Sequence, residues 1–142
     1  MPVRYIRFET PGWRDASRST HPAVAMEMDG KFRPPDGCLL LAYDPDTPEK
    51  VIGSAGFAKL QAGLCEASRI VVGWPYQKKG IGRGLMAALM TEARRAGYHT
   101  MRIRVPTNVP ALVEFITRQG FYQLSYETGA QSTLALFERT LI

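Results

Sequence analysis

The stretch Val71-Val72-Gly73-Trp74-Pro75-Tyr76-Gln77-Lys78-Lys79-Gly80-Ile81-Gly82-Arg83-Gly84-Leu85 decides how this chain folds. A run of β-formers enters a glycine-rich turn, and the turn opens straight into a helix. From Gly80 to Ala96, Leu85, Met86, Leu89, Met90 and Ala93 make one apolar stripe, with Arg83, Arg94 and Arg95 off it. Gly97 ends that helix. The first amides of a helix have no internal partner, and with the helix dipole they form a site for an anion. Gly80, Gly82 and Gly84 place no side chain in the way of a phosphate, and Lys78, Lys79 and Arg83 add charge around it. The plainer alternative is that three glycines let a strand–helix corner pack tightly. Flanking cations and a following helix favour the phosphate reading.

Outward from this unit the chain reads as alternating strands and helices. Val3 to Glu9 is a predicted strand ended by Pro11-Gly12. Ala23, Val24, Ala25, Met26 and Met28 suggest a short helix, with Thr20 as its cap and Pro22 in its first turn. Strands follow at Cys38–Tyr43, Val51–Leu60 and Leu64–Val72, as an antiparallel meander. After the glycine loop and its helix comes a strand at Thr100–Val105. Next is a helix at Pro110–Gln119, capped by Thr107 or Asn108 and stopped by Gly120. Strands at Phe121–Tyr126 and Thr133–Arg139 close the chain. The helix between the strands ending at Val72 and beginning near His99 is a crossover, which makes those strands parallel. The expected fold is α/β (α+β): a mixed, mostly antiparallel sheet of six to seven strands flanked by helices.

Composition narrows the function. At 142 residues, with no repeat or linker, the chain is expected to be one domain over 1–142. With 45% hydrophobic and 22% charged residues it is globular, not disordered. Its longest apolar run, Cys38 to Tyr43, has six residues, so no membrane partner is expected. Arg4, Arg7 and Glu9 break up any signal-peptide core. Cys38 and Cys65 make neither a disulfide framework nor a zinc site, and are read as buried thiols in a reducing cytoplasm. The net charge is +5, but residues 69–104 alone carry eight cations against Glu92, leaving that window at +7. Such a field favours an anionic partner.

Known phosphate loops discriminate further. The dinucleotide fingerprint needs its third glycine one residue later and an acid about 20 positions on, where this chain has Arg102 and Arg104. The nucleotide P-loop needs Gly-Lys-Ser/Thr, but Gly80 is followed by Ile81. Gln77-Lys78-Lys79-Gly80-Ile81-Gly82 instead resembles the acyl-CoA pyrophosphate loop, Gln-x-x-Gly-x-Gly, of the GNAT superfamily of N-acetyltransferases. Arg69-Ile70-Val71-Val72 with Tyr76 resembles that family's fourth strand and its exit. Leu85 and Leu89 match its apolar helix positions, and Ala96-Gly97-Tyr98 its helix end. Asn108, Ala111, Phe115 and Gly120-Phe121 resemble its second block; Gly37 to Ala42 and Val51-Ile52-Gly53 resemble its second and third strands. The likeness covers about residues 37–126.

The resemblance implies acetyl-CoA as co-substrate. Its pantetheine arm would pair with the main chain of Ile70, Val71 and Val72, as an added strand would. Its pyrophosphate would sit on the amides from Gln77 through Lys78, Lys79, Gly80, Ile81, Gly82 and Arg83 to Gly84, with Asn108 and Phe115 touching the arm from the other side. An amine, on a small molecule or a protein, would attack the thioester directly. Main-chain N–H groups of the strand would polarise the carbonyl. Glu66, the only acid between Glu49 and Glu92, falls where many members of the family carry the base. Its structural alternative is pairing with Arg69 or Arg102. The family's usual tyrosine acid, counted four residues back from Gly120, falls at Ile116, which has no proton to give; Tyr98, Tyr122 and Tyr126 are candidate substitutes, but each reads better as a packed aromatic at a strand edge.

His21 and His99 lack metal-ligand spacing, and Cys65 lacks a paired histidine, so no metal and no thiol nucleophile are expected. Trp13 and Trp74 are read as core anchors, with Trp13 alternatively lining the acceptor pocket. Two other classes remain: an acyl-CoA-binding or sensing module without catalysis, and a basic nucleic-acid domain. The chain offers neither RNP-like nor helix-turn-helix spacing, so no nucleic-acid partner is expected. A homodimer through a late strand is compatible with this reading.

Overall fold

Alternating apolar residues, broken by glycine and proline turns, build seven strands and two helices in the computed structural model, which describes residues 3–7, 32, 35–47, 49–128 and 133–141. In chain order they are β1 (Arg4–Arg7), β2 (Cys38–Tyr43), β3 (Val51–Gln61), β4 (Leu64–Val72), α1 (Ile81–Arg95), β5 (Thr100–Pro106), α2 (Pro110–Arg118), β6 (Tyr122–Thr128) and β7 (Thr133–Thr140), with a 3-10 turn at Trp74–Tyr76. They form one sheet in the order β1-β2-β3-β4-β5-β7-β6. Only β4 and β5 run parallel, joined by the α1 crossover. The expected helix around residues 20–29 and the placement of Trp13 lie outside the described residues.

The core has two faces because β2 is apolar at every position and buried throughout. Cys38, Leu40 and Ala42 face one way, joining Ile52, Phe57, Cys65 and Ala67 beneath Leu85, Met86, Leu89 and Ala93 of α1. Leu39, Leu41 and Tyr43 face the other way, with Phe32 and Val51. Glu66 belongs to this second face: its register partner is Ala58, which packs against the Phe32 cluster.

Helix ends follow local chemistry. Gly80 caps α1 in the left-handed region at φ 85, where a side chain would strain the backbone. At the other end Gly97, at φ 95, lets the Tyr98 amide reach back to the Ala93 carbonyl. The expected cap of α2 is corrected. Neither Thr107 nor Asn108 caps it; Val109 takes that place with no side-chain bond. Pro110 in the first turn removes one of the amides a cap would serve. The Thr107 hydroxyl donates instead to the Thr133 carbonyl at 3.1 Å.

β6 is the outer strand of the sheet and is exposed along its whole length. No helix among the described residues is long and apolar enough to cross a membrane.

Candidate active site

The site begins where two parallel strands part. β4 and β5 pair from Leu64↔Thr100 to Ala67↔Ile103 and no further. β4 then stays with β3 to Val72, while β5 stays with β7 to Pro106. The cause is a bulge. Ser54 pairs with Val71 but Gly56 pairs with Ser68, so Arg69 and Ile70 together oppose Ala55. Arg69 takes up the extra residue at φ 59. The fully buried Ser54 pins it, its hydroxyl donating to the Arg69 carbonyl at 2.6 Å. A wedge therefore opens between the strands beyond Ala67. Ile70 and Val72 pack on the α1 side and Val71 is exposed.

The glycine loop closes the wide end of the wedge. Gln77 braces the strand exit, its side-chain amide donating to the Val72 carbonyl at 3.1 Å. The Tyr76 hydroxyl donates to Asp44 Oδ2 at 2.7 Å, tying the turn to the loop after β2. That bond, then the Asp46 amide, hold the Asp44 carboxyl below its ordinary pKa. Lys78 is left-handed at φ 63, and Lys78, Lys79 and Arg83 are exposed. Lys79 and Lys50 both lie near the Tyr76 ring, at 5.9 Å and 5.3 Å. The amides of Ile81, Gly82 and Arg83 have no main-chain acceptor among the described residues, as expected of a first helical turn. The Ile81 side chain is buried.

Gly84 differs from its neighbours. Its amide already donates to the Gly80 carbonyl at 3.0 Å. A Cβ there would sit 2.0 Å from the Tyr5 hydroxyl, so the close approach of Tyr5 of β1 by itself requires this glycine. At Gly82 a Cβ would only touch Phe115, at 3.4 Å, and Val72, at 3.7 Å. Phe115 thus lies against the loop from α2, while Asn108 is exposed in the turn before that helix.

Glu66 stands one residue before the split. Its partner is neither Arg69 nor Arg102 but Arg104, the first β5 residue beyond the paired stretch. Arg104 Nη1 lies 3.2 Å from Glu66 Oε1 and 2.9 Å from Oε2, and its Nε bonds Glu127 Oε2 at 3.1 Å. Arg102 is taken by Glu138, at 3.0 Å and 2.6 Å. Oε2 of Glu66 is buried, and its close contact is the ion pair with Arg104 Nη1.

The comparisons bear on this geometry. A family model for the acetyltransferase (GNAT) family matches residues 4–121. This chain belongs to the GNAT family of acetyltransferases. Among curated proteins nothing matches it. Solved structures share its GNAT fold. Ard1 from Thermoplasma volcanium is 15% identical, with 100% of this chain and 99% of that one covered and a TM-score of 0.78. A GNAT-family acetyltransferase from Staphylococcus aureus is 12% identical, with 99% and 100% covered and a TM-score of 0.76. An aminoglycoside 6'-N-acetyltransferase complexed with coenzyme A is 16% identical, with 100% and 98% covered and a TM-score of 0.76.

In this GNAT chain Ile116 is fully buried in the core, while Phe115, one residue earlier, lies against the glycine loop. Neither carries a hydroxyl. Tyr98 is buried, donates to the Asp36 carbonyl at 2.6 Å, and has its pKa raised by burial, so it is a structural phenol. Tyr122 and Tyr126 stand exposed on β6. Trp74 is no core anchor: it is 83% exposed beside the glycine loop. Cys65 is a buried thiol whose pKa burial pushes up to about 12, which leaves it unreactive. Sequence reasoning missed Ser54, Tyr5, Asp44 and Arg104. Only the buried position of Ser54 within an apolar strand leaves a trace in the sequence.

Proposed function

We propose that this single domain transfers an acetyl group from acetyl-CoA to an amine by direct attack. The observation that carries the reading is the wedge at Ile70–Val72, ending on the unpartnered amides of Ile81, Gly82 and Arg83. Those residues fit the co-substrate: an extended arm can add to an unpaired strand edge, and a pyrophosphate suits helix N-terminal amides flanked by Lys78, Lys79 and Arg83. Acetyl-CoA supplies a thioester whose carbonyl carbon the amine attacks, the C–S bond breaking as the thiolate leaves. Main-chain N–H groups of β4 stabilise the developing oxyanion. Glu66 takes a proton from the amine, directly or through water, with Arg104 fixing its orientation. Phe115 and Ile116 offer no phenol, and the Thr117 hydroxyl donates to the Val113 carbonyl at 2.8 Å, which leaves water or the ammonium formed in the attack as the proton source for the thiolate.

The absence of a tyrosine at Ile116 favours one other reading, an acyl-CoA sensor without turnover. Thiol release on an amine panel separates the two. Glu66→Gln is expected to lower kcat about a hundredfold or more while leaving acetyl-CoA affinity within about twofold. An unchanged kcat removes the base role, and acetyl-CoA binding with no turnover on any amine supports the sensor. The buried thiols support a cytoplasmic setting, and the exposed Tyr122, Leu124 and Tyr126 on β6 support a homodimer through that strand.

A further inference from the structure

We infer that the acceptor amine carries a carboxylate, and that the Arg69 guanidinium holds it. This inference rests on the acetyl-transfer reading and names the substrate class for the same site. It follows from the charges on the sheet face opposite α1. Glu66, Glu127 and Glu138 all lie there, and β5 satisfies all three: Arg104 bridges Glu66 and Glu127, and Arg102 takes Glu138. Arg69 is left over. Its Nε is buried with no hydrogen-bond partner, and no carboxylate among the described residues pairs with it.

That guanidinium is also held in place. It lies over the Phe32 ring, 5.6 Å from its centroid, and the ring is itself buried against Gly56. The backbone beneath is the bulge, with Arg69 left-handed and its carbonyl tied to Ser54. A buried, unpaired N–H is unfavourable unless a partner arrives, and such exceptions call for an explanation. A carboxylate is the fitting partner, because the planar fork of arginine accepts it in a bidentate pair. Position gives the rest. Arg69 is two residues past the last β4–β5 pair, and Glu66 is one residue before it. A ligand with its amine at Glu66 and its carboxylate at Arg69 spans about 10 Å of strand between Cα atoms. An amino-acid-like zwitterion fits this span. A polyamine does not, since each carboxylate named on this face is already paired.

The test uses the full chain. It is titrated calorimetrically with CoA, and the CoA-saturated protein is then titrated with glycine, β-alanine, 4-aminobutyrate and lysine, each beside its carboxamide. At least one acid is expected to bind about tenfold to a hundredfold more tightly than its amide. Arg69→Met should erase that preference, Arg69→Lys should keep part of it, and both should bind CoA within about twofold of the native chain. Amides that match acids, a preference that survives Arg69→Met, or no binding of any acid overturns the inference alone. Loss of CoA affinity in both variants gives Arg69 a structural role and overturns it as well. Failure of the native chain to bind CoA overturns the acetyl-transfer reading and this inference together.

Discussion

Two glycines two residues apart on α1 should respond to alanine in opposite ways. At Gly82 the new methyl meets Phe115 at 3.4 Å and Val72 at 3.7 Å, which is ordinary contact, and the residue lies inside the helix. Alanine in place of glycine within a helix is favourable by about 0.5–1 kcal/mol. Gly82→Ala should therefore raise Tm by about 2–4 °C. At Gly84 the methyl would meet the Tyr5 hydroxyl at 2.0 Å and its ring carbon at 2.6 Å. Tyr5 must move, and overpacking of this kind costs about 1–3 kcal/mol. That exceeds the helical gain, so Gly84→Ala should lower Tm. Ligand binding should run the other way. Alanine at 82 keeps the amide, but its methyl, set between Phe115 and Val72, narrows the place where β4, α1 and α2 meet, so Gly82→Ala should weaken acetyl-CoA about tenfold through sterics alone. The Gly84 amide is already spent on Gly80, so Gly84→Ala should leave affinity within about threefold at a temperature where both variants are folded. Thermal unfolding by circular dichroism and calorimetric titration read the two effects separately. A Gly82→Ala protein that melts lower, or that binds as tightly as the native chain while Gly84→Ala does not, would refute the reasoning.

Three further outcomes follow from the geometry. Asp44 has a depressed pKa, chiefly through the Tyr76 hydroxyl, so its contribution is present above the ordinary value of 3.8 and disappears as pH falls through the lower folded value. Tyr76→Phe should be less stable than the native chain at neutral pH, and their unfolding curves should converge below that value; a constant gap down to full protonation would contradict it. Cys65, with its pKa near 12, and the buried Cys38 should resist a thiol reagent until the chain unfolds, and rapid stoichiometric labelling of the native protein would count against that burial. Trp74, exposed beside the loop, should dominate a red-shifted emission that changes on adding acetyl-CoA and is lost in Trp74→Phe; a ligand-insensitive Trp74 signal would place the co-substrate elsewhere.

Local pattern alone carried most of the architecture. The six apolar residues of β2 and the turn glycine at Gly63 set strands whose observed limits, Cys38–Tyr43 and Leu64–Val72, match expectation, because burial on both faces and a two-residue turn are local properties. The parallel β4–β5 pair was legible for a related reason: a helix between two strands leaves few ways back to the sheet. The Gly80-x-Gly82 loop was legible as the start of α1, and the amides of Ile81 to Arg83 are unpartnered among the described residues because helix-start amides have no intrahelical acceptor.

Side-chain partnerships were decided only in three dimensions. Nothing within a few residues of Glu66 indicates Arg104 rather than Arg69 or Arg102, since the choice is made by which strands part after Ala67. The glycine at 84 answers to Tyr5, some eighty residues away in the chain, and the sequence writes it like its neighbours Gly80 and Gly82. That Phe115 lies against Gly82 while Ile116, about 100° round the helix, is buried in the core depends on how α2 packs on the sheet. Periodicity and turn chemistry act between neighbours, so the sequence by itself determined the elements, their order and the loop that opens α1. The wedge, the Arg104 bridge and the unpaired guanidinium of Arg69 arise from contacts between distant segments, and only the tertiary structure decided them.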